Sequence, residues 1–229
     1  MYDIFTFVSR IPNNLDMIPA IKRRSFLKQS SSVGIGISAG AMISSRITRY
    51  PEISQTSDIN IVGPKEGYTP EIGTLVSMMN WMRQVVVSEI RDLSIKELDY
   101  LHDDEANTIG AMIWHLAATE RFYQIHTFDE DRWQGFSSAN DSQWDAAANL
   151  GINGRRLIKG YDIDFYLELL ENVRDYSLEE LRKKDDDWLT IVDHNFWTHP
   201  TNNYCKWFHV VEHESNHNGQ IRFLKKRAS

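Results

Sequence analysis

Apolar residues recur along this chain at helical intervals in four separate runs. Ile72, Leu75, Val76, Met79, Val86, Ile90 and Leu93 fall three and four residues apart, which predicts a helix over about 69–93. Thr69-Pro70-Glu71 reads as its start: a capping hydroxyl, a proline at the first position and an acid in the first turn. Ser94-Ile95-Lys96-Glu97 has the capping-box pattern and predicts a short turn of helix. A second long helix is expected over about 107–127, with Ile109, Ile113, Leu116 and Tyr123 on one stripe and Met112, His115, Thr119 and Phe122 beside it. Asp162 reads as the cap of a third, whose Ile163, Leu167, Leu170 and Val173 face inward. Ser177-Leu178-Glu179-Glu180 repeats the capping pattern and predicts a break or restart there. A fourth starts near Asn202 or Asn203 and turns Val210, His213, His217, Ile221 and Leu224 to one side.

Between these runs the pattern lapses. Residues 129–161, with Trp133, Trp144, Gly135, Gly151, Gly154 and Gly160, read as a long crossover with a short helix near 142–149. Residues 185–201 read as loop with a short extended piece. With no convincing strand and no internal repeat, the expected fold is all-α: an antiparallel four-helix bundle with a long crossover between helices 2 and 3. The length of 229 residues suits one such domain plus a tail.

Charge divides the chain unevenly. The net charge is −7. Residues 1–50 hold seven basic and two acidic residues, +5, and the remainder holds 18 basic and 30 acidic, −12. An acidic body without a basic stripe argues against nucleic-acid binding. The single cysteine, Cys205, excludes an internal disulfide and a cysteine-rich metal site. A metal would therefore be held by His, Asp or Glu.

The basic start reads as an address. KRRSFLK at 22–28 pairs two arginines with a polar residue and Phe-Leu-Lys, and a weakly apolar stretch, Ser30 to Ile43, follows. That stretch is too short and glycine-rich to span a membrane. The segment resembles a twin-arginine export signal, which implies recognition by the export machinery and a periplasmic destination. Cleavage is expected near Ala39-Gly40-Ala41 or nearer Ser45, and Met17 is the expected initiator, with 1–16 a mis-annotated start. The organisation is then a signal region at 1–45, a linker at 46–67 and the bundle at 68–229.

The chemistry gathers in Tyr204 to Arg227. His209, His213 and His217 lie four apart, so they form one stripe along a helix. Imidazoles turned toward a core need partners for their ring nitrogens, and a metal ion is one partner that engages several at once. A third ligand must come from elsewhere in the chain. His115 and His126 share nearly one face but lie about 16 Å apart along the helix axis, so they cannot bind one ion.

WHLAATE, carrying His115 and Glu120, and HVVEHESNHNGQI, carrying His213, His217, Gly219, Gln220 and Ile221, resemble the DinB-like (DinB/YfiT) four-helix proteins over roughly 68–227. The resemblance implies a divalent metal (Zn, Ni or Fe) on His115, His213 and His217. Asn216 and Asn218 depart from the usual family pattern without removing a ligand. Three neutral imidazoles leave a position for water or substrate, as in catalytic sites. Glu120 would orient a ligand histidine or act as a base; a surface carboxylate paired with Arg121 or another helix is the plainer alternative. His209, one turn outside the ligand pair, reads as structural or as a support to the ligands. The resemblance implies a thiol-dependent transferase acting on a small-molecule substrate, or a non-catalytic metal- or ligand-binding protein, and a homodimer; the export signal favours a metal-dependent hydrolase as the variant suited to the periplasm.

Overall fold

The computed structural model describes residues 59–128, 141–196 and 199–228. The export signal and most of the linker expected from the sequence lie outside these residues, as do Trp133 and Gly135. The described chain is all-α apart from one short hairpin. Helix α1 is Pro70–Ile90, α2 Ile95–Leu98, α3 Ile109–Thr127, α4 Asp141–Asn149, α5 Gly151–Leu157, α6 Ile163–Leu181, α7 Asp186–Thr190 and α8 Asn203–Ala228. Strands β1 (Val192–Asp193) and β2 (Thr201–Asn202) pair antiparallel just before α8. No described helix is long and apolar enough to cross a membrane.

Four long helices, α1, α3, α6 and α8, form a ring in which each packs on two others. Their side-chain partners give their directions. Glu120 meets Arg174 and Gln124 meets Ser177, so α3 and α6 run the same way. Arg83 meets Glu214 and Glu89 meets Arg222, so α1 and α8 do too. By contrast, His115 meets His213 while Trp207 bonds Thr127, so α3 and α8 run oppositely. The parallel pairing means that α6 begins at the end of the bundle where α3 began.

The helix ends show where local sequence governs and where it does not. Ser94 and Glu97 close a full capping box on α2, and the Asp162 carboxylate accepts from Phe165 N at the start of α6. At α1 the local cap fails to form. Thr69 instead donates its hydroxyl to Asp186 Oδ1, and that carboxylate accepts from Glu71 N and Ile72 N at 3.0 and 3.1 Å. A residue more than a hundred positions downstream thus supplies the anion at this helix N-terminus. The break expected at Ser177 does not occur; α6 runs unbroken to Leu181 with Ser177 wholly buried.

The core falls into two hydrophobic clusters. One holds Val86, Ile90, Leu116, Leu170, Val173 and Ile221, together with α4. The other holds Ile72, Leu75, Met79, Tyr123, Leu181, Trp207 and Val210. On every long helix one charged residue lies between them: Arg83, Glu120, Arg174 and Glu214. All four are buried.

Candidate metal centre

His115 lies mid-way along α3, and His213 and His217 lie one turn apart on α8. The α3–α8 packing brings their rings together. Ring centroids are 4.8 Å apart for His115 and His213, 4.9 Å for His115 and His217, and 4.5 Å for His213 and His217. One nitrogen from each ring lies within 4.8 Å of those from the other two. Among the described residues this is the one cluster of three or more His, Cys, Asp or Glu side chains so arranged.

The hydrogen bonds decide which nitrogens face the centre. His115 Nδ1 lies 2.7 Å from the Ala147 carbonyl. A carbonyl only accepts, so Nδ1 carries the hydrogen and Nε2 presents its lone pair inward. His217 Nδ1 lies 3.1 Å from Gln220 Oε1, and Gln220 Nε2 donates to Asn216 Oδ1 at 3.3 Å, which fixes the amide's orientation. The His217 Nε2 lone pair is thereby left free as well. His213 Nε2 sits 2.8 Å from His115 Nε2. Burial holds His115 down to about 3 and His217 to about 4, and it pushes His213 lower still. All three rings are neutral at pH 7, the state in which an imidazole binds a metal. Three convergent neutral rings, two of them with their outer hydrogens tied back, suit a divalent ion.

Of the residues picked out in the sequence, these three come together and Glu120 does not join them. Glu120 is wholly enclosed. It accepts from Arg83 Nη2 at 2.7 Å, from Arg174 Nε and Nη2 at 2.8 and 3.1 Å, and from Ser177 Oγ at 2.6 Å. Burial raises its affinity for a proton, but Arg174 and Arg83 outweigh this and hold it at about 2. Both oxygens are committed, so the roles of base and of ligand-orienting carboxylate do not suit it. The alternative of a carboxylate paired with another helix is what forms, with Arg83 and Arg174, although Glu120 is buried and not at the surface; Arg121 donates to Gln124 and lies over the Tyr176 ring. The group that orients His115 is the Ala147 carbonyl of the crossover.

His209 is held by Tyr123, whose hydroxyl lies 3.0 Å from Nδ1, and its ring lies tilted against that of His213, with centroids 5.0 Å apart. Trp207 is wholly buried and Trp81 exposed. Trp114 faces away from the histidines' cluster into Trp144, Tyr161 and Phe165. The crossover touches the site directly, through the Ala147 carbonyl that meets His115.

Comparison with known proteins agrees with the fold. The sequence profile of the DinB superfamily matches residues 78–221. The chain belongs to the DinB superfamily. A solved structure of a conserved protein from Enterococcus faecalis is similar at 11% identity, covering 66% of this chain and 93% of that one, with a TM-score of 0.50. That likeness bears on the fold alone. No curated protein sequence matches the chain.

Proposed function

We propose that this DinB-superfamily protein binds one divalent metal ion through His115, His213 and His217 and acts on a small molecule there, as a metal-dependent hydrolase or a thiol-dependent transferase. The observation that carries the reading is the convergence of three neutral imidazoles, two of them with their outer nitrogens tied by Ala147 and Gln220. Three histidine ligands leave coordination room for an exogenous group. Bound there, the ion would supply Lewis acidity toward a water, thiol or carbonyl oxygen. The chain's own part is to hold the rings neutral, aimed and shielded. Zn, Ni and Fe all suit such ligands. The arginine pair near the start supports export to the periplasm by the twin-arginine route, a setting that favours hydrolysis over chemistry on a cytosolic thiol.

One observation favours a second reading, a non-catalytic metal-ligand carrier. The carboxylate that stood as the candidate base, Glu120, is consumed by two arginines. Metal content by plasma mass spectrometry tests the site first, on wild type beside His115→Ala and His213→Ala. About one equivalent in wild type, lost in both variants, supports it. A wild type that stays metal-free after loading refutes it. Ester, amide and thiol-transfer substrates offered to the loaded protein then separate enzyme from carrier.

A further inference from the structure

The two hydrophobic clusters are divided by a closed ring of charge with one corner on each long helix. Arg83 Nη2 bonds Glu120 Oε2 at 2.7 Å and Glu214 Oε1 at 2.5 Å. Arg174 Nε bonds Glu120 Oε1 at 2.8 Å, and its Nη2 bonds Glu214 Oε1 at 2.9 Å. Charges alternate around the ring and sum to zero. Each arginine also donates to a backbone carbonyl of the other arginine's helix: Arg83 Nη1 to Leu170 O and Arg174 Nη1 to Met79 O, both at 2.7 Å.

Apolar helix faces tolerate sliding, because one apolar contact exchanges for another at small loss. A buried charge does not, since moving it off its partner leaves it unpaired in a dry interior. Single buried polar groups set register in coiled coils by this means. Here the same two arginines grip Glu120 on α3 and Glu214 on α8, so the axial offset of those helices is set by hydrogen-bond lengths. Glu214 follows His213 directly and precedes His217 by three residues. Glu120 lies five residues, about 7.5 Å of helix rise, from His115. The helices fixed by the ring are the ones that must align for three histidines to meet.

We propose that Arg83, Glu120, Arg174 and Glu214 are positioning residues of the metal centre, holding α3 and α8 in the register that brings His115 onto His213 and His217. The inference rests on the metal reading above for its consequence, not for its geometry. None of the four touches the ion; they act through the helices.

Two variants of the full chain separate positioning from plain stability. Glu214→Gln keeps the shape and removes one charge, and Glu214 Oε2 has no hydrogen-bond partner to lose. The quadruple variant R83M/E120L/R174M/E214L replaces the ring with apolar groups of similar size. It is expected to melt no lower than wild type, because well-packed apolar replacements of buried ion networks are often neutral or stabilising. The quadruple variant is expected to lose about 10–100-fold in Zn(II) affinity by chelator competition, the loss usual when support to ligands is removed, and Glu214→Gln, which can keep the Oε1 bonds, a smaller factor. The ligand-field bands of the Co(II)-loaded protein should also change. A folded quadruple variant with wild-type affinity and bands overturns the proposal.

A metal-independent arm uses nitroxide labels at Arg121→Cys and the native Cys205, across α3 and α8. The expected result is one narrow distance in the otherwise wild-type chain and a broadened or split distribution in the quadruple variant. An unchanged narrow distance overturns the register role even if metal binding stands. Narrow distances that broaden in the variant, in a wild type that takes up no metal, uphold the register and refute the metal reading with its positioning consequence.

Discussion

His115 Nε2 and His213 Nε2 face one another at 2.8 Å across the α3–α8 interface. The His115 hydrogen is committed to Ala147 O through Nδ1, so the hydrogen between the two rings belongs to His213. In the metal-free protein, long-range nitrogen–proton NMR spectra should report His115 as the Nδ1–H tautomer and His213 as the Nε2–H tautomer. Saturating zinc should remove the His213 Nε2 hydrogen and leave His115 unchanged. An Nδ1–H His213 before metal is added would contradict this arrangement.

Gln220 touches the site only through His217 Nδ1. Gln220→Ala should leave the far-UV circular dichroism and Tm close to wild type and weaken zinc by about 10–100-fold. Chelator competition measures it. An unchanged Kd would mean that the His217 ring is held by packing alone.

Acid should destabilise the metal-free protein in two stages. His115 and His217 stand at about 3 and about 4 in the fold, below the ordinary 6.5. Between those values the unfolded chain binds more protons than the folded one, so stability present above pH 6.5 is lost as pH falls toward 4. Glu120, held at about 2 against an ordinary 4.5, adds a second loss as pH falls below 4.5. Thermal melts at pH 7.5, 6 and 5 should show a flat Tm giving way to a decline, and the decline between 6.5 and 4 should be shallower in His115→Phe. A Tm that holds steady down to pH 5 would refute the first stage.

The two glutamates of the charge ring are not equivalent. Both Glu120 oxygens accept hydrogen bonds, whereas Glu214 uses Oε1 and leaves Oε2 without a partner. Glu120→Gln must turn an amide N–H toward an arginine or the serine and should cost about 3–5 kcal/mol, as expected for breaking a buried pair. Glu214→Gln can place its amide nitrogen at the unpartnered position and should cost less. Urea titration of both variants gives the order, and equal losses would show that charge alone matters.

At the other end of α3, Gly110 lies against Tyr166, and a Cβ there would run into the phenol ring. Gly110→Ala should destabilise by about 1–3 kcal/mol through overpacking. Tyr166 Oη is buried with no hydrogen-bond partner. Tyr166→Phe should therefore be nearly neutral by itself and recover part of the Gly110→Ala loss in the double variant. Additive losses by denaturant titration would exclude this steric account.

These contrasts mark what the sequence could reveal. The α2 capping box and the Asp162 cap are local, with donor and acceptor three residues apart, and both are legible. The His213–His217 spacing is equally local, and the family resemblance of WHLAATE brought in His115. The cap of α1 was not legible, because Asp186 enters from a segment brought near only by the finished fold. The Ser177 motif misled because its hydroxyl serves Glu120 inside the bundle instead of a helix end. For Glu120 a pairing with another helix was legible as an alternative, but the partners were not, because they lie 37 and 54 residues away. A signal was present all the same. Arg83, Glu120, Arg174 and Glu214 each interrupt an apolar stripe, two of each sign on four helices, and a charge on a core-facing stripe calls for an opposite one.

The bond from His115 to Ala147 has a consequence for anyone copying this centre. A main-chain carbonyl is common to every amino acid, so the support it gives leaves no letter behind, and exchange at position 147 varies bulk alone. Three histidines transplanted onto another helical scaffold would arrive with one ring free to spin. The portable unit is the two ligand-bearing helices together with α4, the short helix whose backbone keeps that ring from turning.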